Sequence, residues 1–221
     1  MLNLDIKKLC PPCAGHNFNT FRAKNCLTTL LLTLLLMVSA VAHADPFSIN
    51  FGYEGVKQAD ISVFPQWVNV LNTQDLNSNP QDSWHQFLDS IRNQSAHAQL
   101  DAVNRFVNRQ NYVIDIDNYG AEDHWAKPAE FLQNGGDCED FAILKFFSLR
   151  LLGWPPEKLR LVVVQDTKMG QPHAVLAVAT ERDVLILDNQ APTIVSAIAV
   201  PHYTPVYSIS GEKWWLHLPN S

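Results

Sequence analysis

The chain is poor in long apolar runs, in basic charge and in cysteine, and each shortage narrows what it can be. Its sustained apolar run, residues 27–38, is twelve residues long, too short to span a bilayer comfortably. Lys7, Lys8, Arg22 and Lys24 precede it, and Ala42-His43-Ala44 comes after it with a small-x-small cleavage pattern. Residues 1–44 therefore read as a signal peptide cut before Asp45, with Ala40 as a second cut site. An uncleaved membrane anchor is the alternative. No cysteine stands just after the run, which argues against a lipoprotein anchor.

Without the leader, twelve basic residues stand against twenty-one acidic ones, a balance of −9. Such a surface argues against nucleic acid or an anionic membrane as partner, and it tolerates cations. The 177 residues that remain, 45–221, suit a single domain with a full core. They contain no repeat and no low-complexity segment.

Of four cysteines, Cys10, Cys13 and Cys26 leave with the leader. Cys138 is then alone in an oxidising compartment. A lone cysteine there is a free reactive thiol, an intermolecular link or a buried structural residue. Its setting favours the first. Gly135 and Gly136 break the chain, Asp137 can act as a helix cap, and the apolar run after it reads as a helix over residues 138–152. A thiol in the first turn feels the positive end of the helix dipole, which favours the thiolate.

The rest of the chain falls into two halves. Residues 45–60 read as irregular, with a short strand around 49–53. Helical spacing appears over residues 62–71, then after caps at Asp82 or Ser83 and at Ser95, and again from Pro128 to about Gln133. Residues 112–120 read as a short extended piece and an acidic turn. On the central helix, Phe141, Leu144, Phe147 or Ser148, and Leu151 form the expected inward face, and Gly153 with Pro155-Pro156 ends it. The period then changes to alternation over residues 159–165, 173–179, 184–188, 194–200, 206–210 and 213–218. Helices succeeded by an antiparallel sheet make an α+β domain.

The hairpin formed by 173–179 and 184–188 carries the next inference. A two-residue turn sets His173 directly across from Asp188. A four-residue turn leaves them diagonal but on one face; an odd loop parts them. His173 can take a proton from Cys138 and return it to a leaving amine, and Asp188 can hold the ring's tautomer. The Cys138 N–H, free at a helix start, is one oxyanion donor; a group near Trp125 is the candidate for a second. Singly, His173 reads equally well as a polar strand end and Asp188 as a turn former. A metal bound by these three would need a fourth ligand, and no CxxC or HxxxH spacing supplies it.

Asp137, Glu139 and Asp140 crowd Cys138 with charge that opposes a thiolate. Asp115 and Asp117 add to it if their turn folds nearby. The simple reading is a helix cap with first-turn acids. The sharper one is a calcium site, whose cation would cancel that charge, although the loop is no EF-hand.

Gly-Asp-Cys-Glu-Asp-Phe at 136–141 comes after Asp123-His124-Trp125-Ala126, Pro128 and Glu130-Phe131, and it precedes Lys145 and Leu152-Gly153. With Pro172-His173-Ala174-Val175-Leu176 and Leu187-Asp188-Asn189, these motifs resemble the bacterial transglutaminase-like cysteine proteinases. The resemblance runs from about Phe64 to Trp215. It implies a papain/transglutaminase-like fold, N-terminal helices with the cysteine at a helix start packed on an antiparallel sheet. Cys138, His173 and Asp188 fall on the family's catalytic positions. Its calcium dependence falls on Asp137, Glu139 and Asp140, with Asp115 and Asp117 as candidate ligands.

It further implies a periplasmic endopeptidase. The expected substrate is a large surface adhesin, cut at a di-alanine site near its N-terminus, which disperses a biofilm. The expected partner is an inner-membrane cyclic di-GMP receptor that sequesters the protease. The same triad would also serve a transglutaminase or amine N-acyltransferase, because water or an amine can resolve the thioester. From a different class, a non-catalytic calcium-binding adaptor needs the acids but not the thiol.

Overall fold

A computed structural model describes residues 47, 52–72 and 82–219, all within one compact unit, Ala44–Ser221. The leader and most of the expected 49–53 strand lie outside the described residues. No described helix is long and apolar enough to cross a membrane.

After a first edge strand come the helices, several of them begun by a local device. Helix α1 (Pro65–Leu71) starts on proline and buries Trp67 and Val70. Helix α2 (Ser83–Ile91) is capped by Asp82, whose carboxylate accepts from the His85 N–H at 2.7 Å. Ser95 caps α3 (Ala96–Val107), which buries Leu100, Val103 and Val107. Then come the short α4 (Asp115–Tyr119) and α5 (Pro128–Asn134). Helix α6 (Cys138–Leu151) comes directly after.

Among the described residues seven strands form one antiparallel sheet. They are β1 (Tyr53–Gln58), β2 (Leu159–Asp166), β3 (Gln171–Ala179), β4 (Val184–Leu187), β5 (Val195–Ser196), β6 (Tyr203–Ser210) and β7 (Lys213–Pro219). Their order across the sheet is β1-β7-β6-β2-β3-β4-β5. One face, with Leu161, Leu176, Val178, Leu187 and Ile209, packs against the helices. The other, with Val162, Val164, Val175, Ala177 and Ile186, is closed by Phe47, Ala197 and Tyr203.

Helix α6 packs on β3 and β2 and is covered from outside by α3 and α5. Every residue from Asp140 to Leu149 is buried, so the single inward face expected from its spacing is replaced by burial all round.

Four boundaries differ from the sequence reading, each for a physical reason. Residues 53–58 are a strand, not irregular: this edge strand is half polar and owes its form to pairing with β7. Residues 115–119 are a helical turn, closed by Gly120 at φ 66°. The strand expected over 194–200 keeps only Val195–Ser196, because the Ser196 hydroxyl accepts from the Ile198 N–H and starts a 3-10 turn. Strand β6 starts earlier than expected, at Tyr203, by pairing with Asp166 of β2.

Candidate active site

Two close approaches put Cys138 where it is. Residues 111–113 run beside Gly136: Val113 N–H donates to the Gly136 carbonyl (2.9 Å) and Gly136 N–H to that of Asn111 (3.2 Å). Gly135 has φ 77°, and a Cβ there would lie 2.5 Å from the Asn111 carbonyl oxygen. At Gly136 a Cβ would overlap Asp140 Oδ2. Both glycines are required by space, Gly135 by its backbone angle as well. Asp137 stands at the N-cap, and Asp140 Oδ2 accepts from its N–H at 3.3 Å. The bridge also lays α4 against this loop, with Asn118 donating to the Gly135 carbonyl.

On the sheet, β3 and β4 are joined by a four-residue turn that pairs Ala179 with Val184. His173 and Asp188 are therefore diagonal and on one face. Both are buried, and Nε2 of His173 donates to Asp188 Oδ1 at 2.9 Å. The same oxygen accepts from the Gln190 N–H (2.9 Å), and Tyr203 Oη donates to Oδ2 (2.6 Å). Burial pushes the Asp188 carboxyl up. The hydrogen bond and charge of His173, with Tyr203 and Gln190, outweigh that and hold it below the usual carboxylate range. With Nε2–H committed to Asp188, Nδ1 is the basic nitrogen; Gln190 Nε2 lies 3.4 Å from it.

Cys138 is free and partly buried. Its sulfur lies close enough to the Ala174 N–H, on the residue next to His173, for that dipole to favour the thiolate. Among the described residues no hydrogen bond joins the thiol to the imidazole. The S–H points instead to Glu139 Oε2 at 3.3 Å. Burial, then the charges of Glu139 and Asp137, push the thiol well above its ordinary range, with the Ala174 N–H pulling the other way.

The acidic residues converge on the other side of Cys138. Oxygens of Asp115, Asp137 and Asp140 lie within 4.8 Å of one another, and so do those of Asp115, Asp123 and Glu139. Asp115 Oδ1 and Asp137 Oδ1 are buried with no hydrogen-bond partner among the described residues. Burial, then the Asp137 and Asp115 charges, push Asp140 up to about 8 against the pull of the Ala126 N–H. Burial and Asp137 likewise raise Glu139. Converging carboxylates with orphaned buried oxygens fit a hard divalent cation. Asp117 is exposed and belongs to none of these groups among the described residues.

Several participants do not stand out in the sequence. Asp123 is visible there only as part of a motif, and Tyr203 and Gln190 carry no local signal. The Trp125 ring is in the core and its Nε1 donates to Asp123 Oδ1 at 3.0 Å, so the indole N–H is not free for an oxyanion.

A thiol at the start of a helix packed on an antiparallel sheet that carries a buried His–Asp pair places the fold among transglutaminase-like cysteine proteinases. The comparisons agree. The chain belongs to the bacterial transglutaminase-like cysteine proteinases (BTLCP), whose family pattern matches residues 66–220. It is similar to solved structures of Legionella pneumophila LapG, at 36% identity over 68% of this chain and 84% of that one, with a TM-score of 0.56. The calcium-bound form of LapG aligns at 35% identity over 69% and 86% of the two chains, TM-score 0.57. An EGTA-treated form aligns at 36% over 68% and 82%, TM-score 0.56. Among curated proteins nothing matches.

Proposed function

We propose that this cysteine proteinase is a calcium-dependent endopeptidase whose triad is Cys138, His173 and Asp188. The observation that carries the reading is the buried His173–Asp188 pair on the strand against which the Cys138 helix packs. Nδ1 of His173 takes the thiol proton once the S–H leaves Glu139. The thiolate attacks the scissile carbonyl, and the oxyanion is met by the Cys138 N–H, which has no acceptor within its helix. The imidazolium, held by Asp188, then protonates the leaving amine. Water, activated by the same nitrogen, hydrolyses the thioester and frees the thiol.

Asp115, Asp137 and Asp140 would hold the calcium, with Glu139 and Asp123 beside them; Asp117 drops from the set. A bound cation supplies positive charge that offsets the carboxylates around the thiol. The calcium-bound and EGTA-treated forms of LapG support this reading. Export to the periplasm, a surface adhesin cut at a di-alanine site, release of biofilm and sequestration by a cyclic di-GMP receptor rest on the family resemblance. The test is incubation of the purified protein with N-terminal adhesin fragments, with and without chelator. Cleavage that survives Cys138→Ala ends the thiol-protease reading. Cross-linking to added amines in place of hydrolysis would favour an acyltransferase.

A further inference from the structure

Ahead of α4, residues 111–113 lie beside the loop that leads into Cys138. The contact is a single parallel bridge, in which Tyr112 faces Gly136, two residues before the nucleophile. Asn111 gives its carbonyl to that bridge and Val113 its N–H. In an extended chain successive residues send their polar groups to opposite edges, so the N–H and C=O of Tyr112 point away from Gly136. Neither is hydrogen-bonded to any described residue. The side chain is also held in place. The Tyr112 ring lies at 28° to that of Phe141, with centroids 6.3 Å apart, and Phe141 is buried one turn on from Cys138 in α6. Tyr112 is nonetheless 57% exposed. A fixed, solvent-open strand edge therefore stands next to the nucleophile.

The two sides of the thiol also sort the two halves of a substrate. The leaving amine takes its proton from His173, so it must lie on the sheet side. The acyl half is left to the loop side, where Tyr112 stands. An unpaired strand edge is a template for an extended peptide, which adds to it as a further strand through main-chain bonds.

We propose that Tyr112 is a substrate-binding residue of the proteinase: its open main-chain edge pairs, backbone to backbone, with the acyl half of an extended peptide. The assignment rests on the proteinase reading above. The test uses N-acetyl-trialanyl chloromethyl ketone on the mature, calcium-loaded protein. The Cys138 sulfur displaces chloride from this reagent, the thiol proton passes to His173, and the peptide is left where the acyl half would lie. Chloroacetone makes the same bond and carries no peptide. Followed by NMR, the Tyr112 N–H is expected to exchange with solvent at least about tenfold more slowly in the peptidyl adduct than in the chloroacetone adduct. N-methylation of the reagent amide that meets the Tyr112 carbonyl is expected to slow alkylation about tenfold.

Equal exchange at Tyr112 in the two adducts overturns the proposal. So does a peptidyl reagent that alkylates Cys138 no faster than chloroacetone, because an edge in use must add rate. Slow exchange with no N-methyl position affecting the rate is the mark of cover without pairing, and it overturns the proposal as well. The endopeptidase reading is decided apart from these results, by cleavage of the adhesin fragments. If they are not cleaved, a protected Tyr112 N–H still leaves the peptide-binding edge standing.

Discussion

The two flanks of Cys138 are built on opposite principles. On the sheet side, both carboxylate oxygens of Asp188 and both ring nitrogens of His173 have protein partners. On the loop side, Asp115 and Asp137 each keep a buried oxygen that no described residue meets. The first flank is assembled by the fold alone. The second gathers like charges, which repel one another at close range unless protonated or bridged by a cation. The thiol stands between them, turned toward the incomplete flank. On the proposed reading, the protein supplies its own base and a cation from outside the chain makes the nucleophile available.

The comparison breaks most sharply if the complete flank proves dispensable. His173→Ala is expected to lower kcat by at least about a thousandfold while the fold persists; a wild-type rate would place the base elsewhere. The next largest effect belongs to the incomplete flank. Chelation is expected to abolish cleavage, with recovery on added Ca²⁺ and not Mg²⁺. Calcium at about a hundred times its Kd should raise stability by about 2.7 kcal/mol, readable as a Tm shift. The flanks would then be alike if Asp137→Asn left both the activity and the calcium-dependent Tm shift intact.

The complete flank is the more legible in sequence. Cys138, His173 and Asp188 each sit at a marked place: a glycine-flanked helix start, the start of a strand, and the end of its hairpin partner. Period-two pairing then decides which face they share, and only the length of the turn stays open. Tyr203 and Gln190 are not legible. They reach Asp188 from β6 and from the loop after β4, and no local pattern reports a contact of that kind. The all-round burial of α6 is hidden for the same reason, since it depends on α3 and α5 covering it. The acidic flank is half legible. The run Asp137–Asp140 is plain, but which of Asp115, Asp117 and Asp123 joins it depends on the 111–113 bridge to Gly136, which brings α4 alongside.

A smaller effect sharpens the comparison through pH. Lys145, buried in α6, has a folded pKa of about 7 against an ordinary 10.5. Between those values the unfolded chain binds a proton that the folded one does not, so stability falls as pH drops from 10.5 toward 7 and rises with pH across that window. The slope from this one group approaches about 1.4 kcal/mol per pH unit. Below pH 7 both states are protonated and the slope ends. In Lys145→Met this contribution is absent, so the stability difference between variant and wild type should shrink as pH climbs from 7 to 10.5. A constant difference would mean that the lysine titrates normally.

The smallest effect separates two aspartates on one turn. Asp115 and Asp117 are two positions apart in α4, hence about 200° around the helix. The geometry sends one side chain toward Asp137 and Asp140 and the other to solvent. Asp115 Oδ2 accepts from the His124 N–H at 2.5 Å, and its Oδ1 is buried and unmet. Asp117 is exposed and outside the cluster. Asp117→Asn should therefore alter stability by no more than about 0.5 kcal/mol and leave the calcium response unchanged. Asp115→Asn should weaken that response even though the two substitutions are chemically identical. Equal effects at both positions, measured as the calcium-dependent Tm shift, would mean that α4 does not present a single face to the site. The bridge between residues 111–113 and Gly136 would then have to be redrawn.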